Sequence, residues 1–116
     1  MNIENFEYTP TSQPVADDPV IFTLRPLDQR GYVNMVGAQA LSRTRLDAQH
    51  DVAIRYIAGW RGGGQGAVTD PAAVVARLAE VVNAKKPNVY WMAWLTQIAK
   101  VLSDNADPGE DDAKKF

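Results

Sequence analysis

Apolar and polar residues alternate most legibly between Thr44 and Gly62, TRLDAQHDVAIRYIAGWRG. Leu46, His50, Ala53, Ile54, Ile57 and Trp60 fall at helical spacing on one face, while Arg45, Asp51 and Arg55 face away. Thr44 stands where an N-cap belongs, with Asp47 three residues on in a capping-box position. Gly59 and Gly62 bracket Trp60 and Arg61, and the run Gly62-Gly63-Gly64-Gln65-Gly66 cannot continue a helix cheaply. The pattern predicts an amphipathic helix that carries Trp60 to its C-terminal end, beside a flexible glycine-rich joint at 62–66.

The flanking segments follow in order. Residues 1–19 carry prolines among Thr, Ser, Asn and Asp, and read as an irregular arm anchored by Ile3, Phe6 and Tyr8. Val20–Leu24, VIFTL, is β-branched and aromatic between Pro19 and Pro26, and predicts a short strand. A lone strand needs company: Phe6 to Tyr8, a partner chain, or an extended seat on the helices. Asp28 caps a predicted helix over Gln29–Leu41, with Tyr32, Met35, Val36 and Ala40 or Leu41 on its apolar face. Gly31 and Gly37 weaken it by up to about 1 kcal/mol each against alanine. Ser42-Arg43 breaks the pattern so briefly that an antiparallel pair and one bent helix both remain open.

Asp70 as N-cap with Pro71 at the first helical position starts the next predicted helix, which runs to Asn83 through Val74, Val75, Leu78, Val81 and Val82. Lys85 and Lys86 follow, where positive charge suits a helix C-terminus. Pro87 opens a fourth helix to Ser103, with Trp91, Trp94, Leu95, Ile98, Val101 and Leu102 on a broad apolar face that Tyr90 and Met92 widen. From Asp104 the chain turns acidic and polar and reads as a mobile tail over 104–116. The expected fold is therefore mainly α: a compact bundle of about four helices over 20–103, with a short N-terminal strand or extended arm and a disordered acidic C-terminal tail.

Composition narrows the function. The 116 residues suffice for one domain with a modest core. A net charge of -2 gives no global reason to expect nucleic acid. With no cysteine, disulfides and thiolate metal sites are excluded. No apolar run approaches the roughly 20 residues needed to span a bilayer. The start, MNIENFEYTP, is acidic and lacks the apolar core of a secretory signal. The expectation is a cytoplasmic protein with no membrane partner.

Candidate chemistry is sparse. Asp47, His50 and Asp51 share a helical neighbourhood that can present ligands, but His50 is the only histidine, and a helix surface with a partly buried histidine is the favoured reading. The glycines at 62–66 lack the Gly-Lys-Ser/Thr ending of a phosphate loop. No nucleophile elbow or cysteine–histidine pair is present. Neither catalysis nor a cofactor is expected. Arg43, Arg45, Arg55 and Arg61 group around the second helix, yet Asp47 and Asp51 interrupt them, and Ala48, Gln49 and Val52 are poor base readers. Nucleic acid is not an expected partner.

The three tryptophans remain, each near a helix end or on an apolar stripe. Such residues are most often core anchors. The functional alternative has Trp60, Trp91 and Trp94 building a patch for an apolar segment of another protein.

Val20-Ile21-Phe22-Thr23-Leu24-Arg25-Pro26-Leu27 and Ile57-Ala58-Gly59-Trp60-Arg61-Gly62 resemble the small tail assembly chaperones of tailed bacteriophages. In that family a short extended segment precedes a helical domain, a helix ends in an aromatic-glycine turn, and a polar acidic C-terminus follows. Many relatives continue after the turn with Asp-x-x-Gly-x-Pro, where this chain has Gly63-Gly64-Gln65-Gly66-Ala67-Val68-Thr69-Asp70-Pro71. The resemblance implies a non-catalytic protein of the host cytoplasm that binds the tape measure protein, keeps it soluble and helps recruit tail tube protein, with some self-association. The residues expected to bind a partner are Trp60, Arg61, Trp91, Trp94, Leu95 and Ile98. Two other readings stand beside it: an inhibitor of a host defence factor, and a minor structural tail or connector protein.

Overall fold

Val20 to Leu24 lies between two prolines, and in the computed structural model, which describes residues 4–41, 46–86 and 88–106, Ile21–Leu24 forms a strand, β2. It is preceded by β1, Phe6–Tyr8. Next come α1, Gln29–Leu41, and α2, Leu46–Ile54. Then follow β3, Ile57–Gly62, and β4, Gln65–Val68. The chain continues with α3, Pro71–Asn83, and α4, Val89–Ala106. The four strands make one antiparallel sheet in the order β1-β2-β3-β4. The mainly α expectation is thus corrected: this is an α+β fold of four helices and a four-stranded antiparallel sheet among the described residues.

The correction centres on residues 57–68. The helix expected to carry Trp60 at its C-terminal end stops at Ile54, where Arg55 and Tyr56 turn the chain into β3. Leu24 pairs with Ile57, but Thr23 pairs with Gly59, so β3 accommodates one extra residue in a bulge. The bulge brings Ile57 and Trp60, three residues apart, onto the face shared by Leu24 and Phe22, and all four are buried. An i, i+3 spacing that suits a helix is here produced by a kinked strand. The expected joint is a hairpin turn. Gly62 pairs with Gln65, and Gly63 and Gly64 between them have φ values of 71° and 80°, the left-handed values a two-residue type I′ loop requires. Asp18 clamps this turn, its carbonyl accepting from the Gly63 amide and its carboxylate from the Gly64 amide, each at 2.8 Å.

Two of the expected helix start signals are realised; Thr44, expected to cap the second helix, and Pro87, expected to open the fourth, lie outside the described residues. The Asp28 carboxylate accepts from the Gly31 amide at 2.7 Å, and the Asp70 carboxylate from the Ala73 amide at 3.1 Å with Pro71 in the first turn. Asn88 caps α4 through the amides of Tyr90 and Trp91. On α1 the buried positions are Gly31, Met35 and Ala38, while Val36 faces solvent. The core joins β2, β3, α1, α2 and α4 around Phe22, Leu24, Met35, Leu95, Ile98 and Leu102. Residues 104–106, assigned to the tail by sequence, complete α4 with Ala106 buried; 107–116 lie outside the described residues.

The N-terminal arm is held down. Phe6–Tyr8 supplies the partner strand that β2 needs. Beyond it, the Gln97 carbonyl accepts from the Tyr8 hydroxyl at 3.2 Å and from the Thr11 amide at 2.8 Å. The Trp94 indole N–H donates to the carbonyls of Thr11 and Ser12, at 3.2 and 3.3 Å. Gln13 closes the loop back to the sheet by accepting from the Val20 amide at 2.8 Å.

Candidate functional site

An aromatic cluster ties the sheet to α4. Phe22 meets Trp60, Trp91 and Trp94 with ring centroids 6.0, 5.5 and 5.8 Å apart, and Trp91 lies 5.2 Å from Trp60 and 5.4 Å from Trp94. All but the tilted Phe22–Trp60 pair stand edge to face, and such pairs contribute about 0.5–1.5 kcal/mol each beyond the area they bury. Of the residues put forward for partner binding, Trp60 and Trp94 are 6% and 4% exposed, and Leu95 and Ile98 are fully buried. Trp91 is half-buried at the edge of the cluster. Arg61 is exposed and pairs with Glu7 at 3.2 Å, a surface contact of small energetic weight. The structure therefore brings the three tryptophans together, but chiefly as core.

Open apolar surface remains on α1 at Val33 and Val36, at the start of α4 at Val89, Tyr90 and Met92, and along α3. Val74 and Leu78 face inward, whereas Val75 is 69% and Val82 46% exposed. Two hollows meet at Val75. One, of about 360 Å³, is bounded by Ile57, Ala58, Thr69, Pro71 and Val74 with Arg25. The other, of about 280 Å³, is bounded by Ile54, Leu78, Ala79, Val82 and Asn83 with Arg55. They adjoin at Val75 and together trace an open apolar strip on α3, a helix of 13 residues. Arg25 and Arg55 stand on its rim and neither hollow has an acidic lining residue. The Arg25 guanidinium donates to the Arg55 carbonyl and lies over the Tyr56 ring, so this rim is ordered. Sequence reasoning placed Val75 and Val82 on the helix's apolar face. The signal for their exposure was the width of that stripe, broader than one packed neighbour covers.

The titratable groups are structural in their surroundings. Asp28 is held below the usual carboxylate range, first by the Gly31 amide and then by the Tyr56 hydroxyl, which donates to it at 2.8 Å. Burial pushes the Tyr56 and Tyr8 hydroxyls up. His50 is buried between α2 and α4, beside a shallow apolar hollow formed by Asp47, Met92, Ala93 and Thr96. Its pKa is lowered by burial, against the opposing pull of Asp51 and Asp47. Among the described residues no group of three or more His, Cys, Asp or Glu side chains is placed to hold a metal ion. Of the expected basic group, Arg43 and Arg45 lie outside the described residues. No helix among the described residues is long and apolar enough to cross a membrane.

Comparison of the chain with protein-family models, with curated proteins and with solved structures gave no match in any of the three.

Proposed function

We propose that this chain is a non-catalytic tail assembly chaperone of a tailed bacteriophage, which binds the tape measure protein in the host cytoplasm and helps recruit tail tube protein around it. The observation that carries this reading is the open apolar strip along α3, with Val75 and Val82 exposed on either side of Leu78 and a hollow beside each. An apolar strip on a helix suits packing against one amphipathic helix of a long helical client. The resemblance adds support: its two stretches, 20–27 and 57–62, meet as hydrogen-bonded neighbours, with Phe22 opposite Trp60. The client surface is moved by this reading from the Trp91–Ile98 face, which supplies core residues, to α3.

Co-expression of the chain with the tape measure protein of its own phage genome, followed by affinity purification and size exclusion, tests it. A soluble complex is expected with the native chain and is lost when Val75 and Val82 are both changed to Asp while the free protein still melts as before. A tape measure protein that stays insoluble and unbound beside the native chain overturns the proposal.

A further inference from the structure

The open side of α3 has a regular spacing. Ala72, Val75, Ala79 and Val82 follow one another at intervals of three, four and three residues, with Ala76 beside them, and all five are exposed. This is the spacing along which one helix takes up another, and alanine at alternate places lets a second backbone come close. A helix with only solvent on one side carries polar or charged residues there. Glu80, the one acidic residue within α3, follows Ala79 and so stands about 100° round the helix axis from it, outside this seam.

The charge beside the seam has one sign. Arg25 lines the hollow that includes Pro71, and Arg55 the hollow that includes Val82. Neither arginine is in an ion pair among the described residues. The Arg25 guanidinium is held instead by the Arg55 carbonyl and over the Tyr56 ring, 6.0 Å from its centroid. Asp28, which meets the same tyrosine, has its carboxylate taken up by the Gly31 amide and the Tyr56 hydroxyl. Lys85 and Lys86, both exposed, continue the positive charge past the end of α3.

This charge selects among the helices that fit the seam. A second copy of this chain, seated α3 against α3, brings the arginines of both copies to one interface with no carboxylate between them, and like charges set together disfavour a complex. A helix with basic flanks meets the same repulsion. A helix with carboxylates beside its apolar stripe gains a partner for each arginine, and a guanidinium can grip a carboxylate with two parallel hydrogen bonds.

We infer that the α3 seam takes up an amphipathic helix whose apolar stripe is flanked by Asp or Glu side chains that pair with Arg25 and Arg55. The inference rests on the proposed function for the surface it uses, and names the chemistry of the client segment that docks there.

Two capped three-heptad peptides are the probes, with Leu at a and d, Ala and Gln elsewhere, and either Glu or Lys throughout e and g. Like charges at e and g keep each peptide from pairing with itself. Each is titrated into the ¹⁵N-labelled full chain. The backbone amides of Val75, Ala79 and Val82 are expected to move saturably with the Glu peptide, with a Kd below about 1 mM. The Lys peptide is expected to bind at least about tenfold more weakly. Arg55 is exposed, and Arg55→Gln is expected to weaken the Glu peptide about two- to fivefold at unchanged melting temperature. Arg55→Glu is expected to bring the two peptides within about threefold of each other.

Equal binding of the two peptides to the native chain, binding of neither, or movement of the same amides when the chain alone is concentrated overturns the inference. The complex with the tape measure protein separates it from the chaperone reading. A complex that is lost on changing Val75 and Val82 to Asp but keeps its affinity in Arg55→Glu overturns this inference alone. Absence of that complex, beside saturable binding of the Glu peptide, overturns the chaperone reading and supports the seam's preference for acid.

Discussion

His50 Nε2 lies 2.8 Å from Thr96 Oγ1, and the Thr96 hydroxyl donates its one hydrogen to the Met92 carbonyl 3.1 Å away. Thr96 can then only accept from His50, so the neutral imidazole carries its proton on Nε2 and leaves Nδ1 as the site of further protonation. Burial lowers the folded pKa below the ordinary value of about 6.5, and Asp51 and Asp47 only partly oppose it. The sign follows from linkage. The unfolded chain takes up the proton first as pH falls, so this contribution to stability is complete above about pH 6.5 and is lost below it. Thermal melts across pH 5 to 8 are expected to show the melting temperature dropping on the acid side. His50→Gln, which keeps a donor for Thr96, is expected to flatten that drop; an unchanged slope places the titration elsewhere.

Gly62 holds a φ of 97°, and a Cβ there runs into the Pro19 carbonyl. The obstacle is backbone, fixed by the Asp18 clamp on the same turn. Gly62→Ala is expected to destabilise the protein by about 1–3 kcal/mol in urea unfolding. Gly64→Ala meets the same positive φ but open space, and is expected to cost less.

The arm depends on one amide side chain. Gln97→Ala removes the acceptor of both the Tyr8 hydroxyl and the Thr11 amide. A loss of about 1 kcal/mol in global stability is expected. Hydrogen exchange at Thr11 is expected to accelerate more than exchange in α3, and equal acceleration in both speaks against a local role.

Phe22 and Val75 mark the contrast between core and surface. Phe22 is fully buried against three indoles, and Phe22→Ala is expected to cost about 3–5 kcal/mol with loss of the near-ultraviolet tryptophan dichroism. Val75→Asp is expected to change stability by no more than about 0.5 kcal/mol. Equal costs at the two sites contradict the packing described.

Local signals proved the most legible in the sequence. Asp28, and Asp70 with Pro71, announced helices whose observed spans, Gln29–Leu41 and Pro71–Asn83, match the pattern. The proline-bounded strand lies within one residue of its expected start. What misled was periodicity across Ile54 to Trp60. A helix followed by a bulged strand kept the i, i+3 rhythm, and the β-bulge that produced it is set by pairing with Thr23 and Leu24, a partner distant in sequence. The two-residue Gly63-Gly64 turn was available as a hairpin signal, but it counts only once flanking runs are read as strands. The site was half legible. The tryptophans do assemble, while which apolar face stays uncovered depends on how much of each helix its neighbours reach, a tertiary quantity.

Trp94 reaches a carbonyl 83 residues earlier in the chain, and its helix also closes over Phe22. Synthesis runs from the N-terminus, so β2 and β3 leave the ribosome before the residues that cover them. A nascent chain halted ahead of α4 carries Phe22 and Trp60 on an uncovered sheet face, with the arm unsecured. For this protein the vulnerable interval runs from the emergence of β3 to that of α4, and α4 acts as its own chain's release from it.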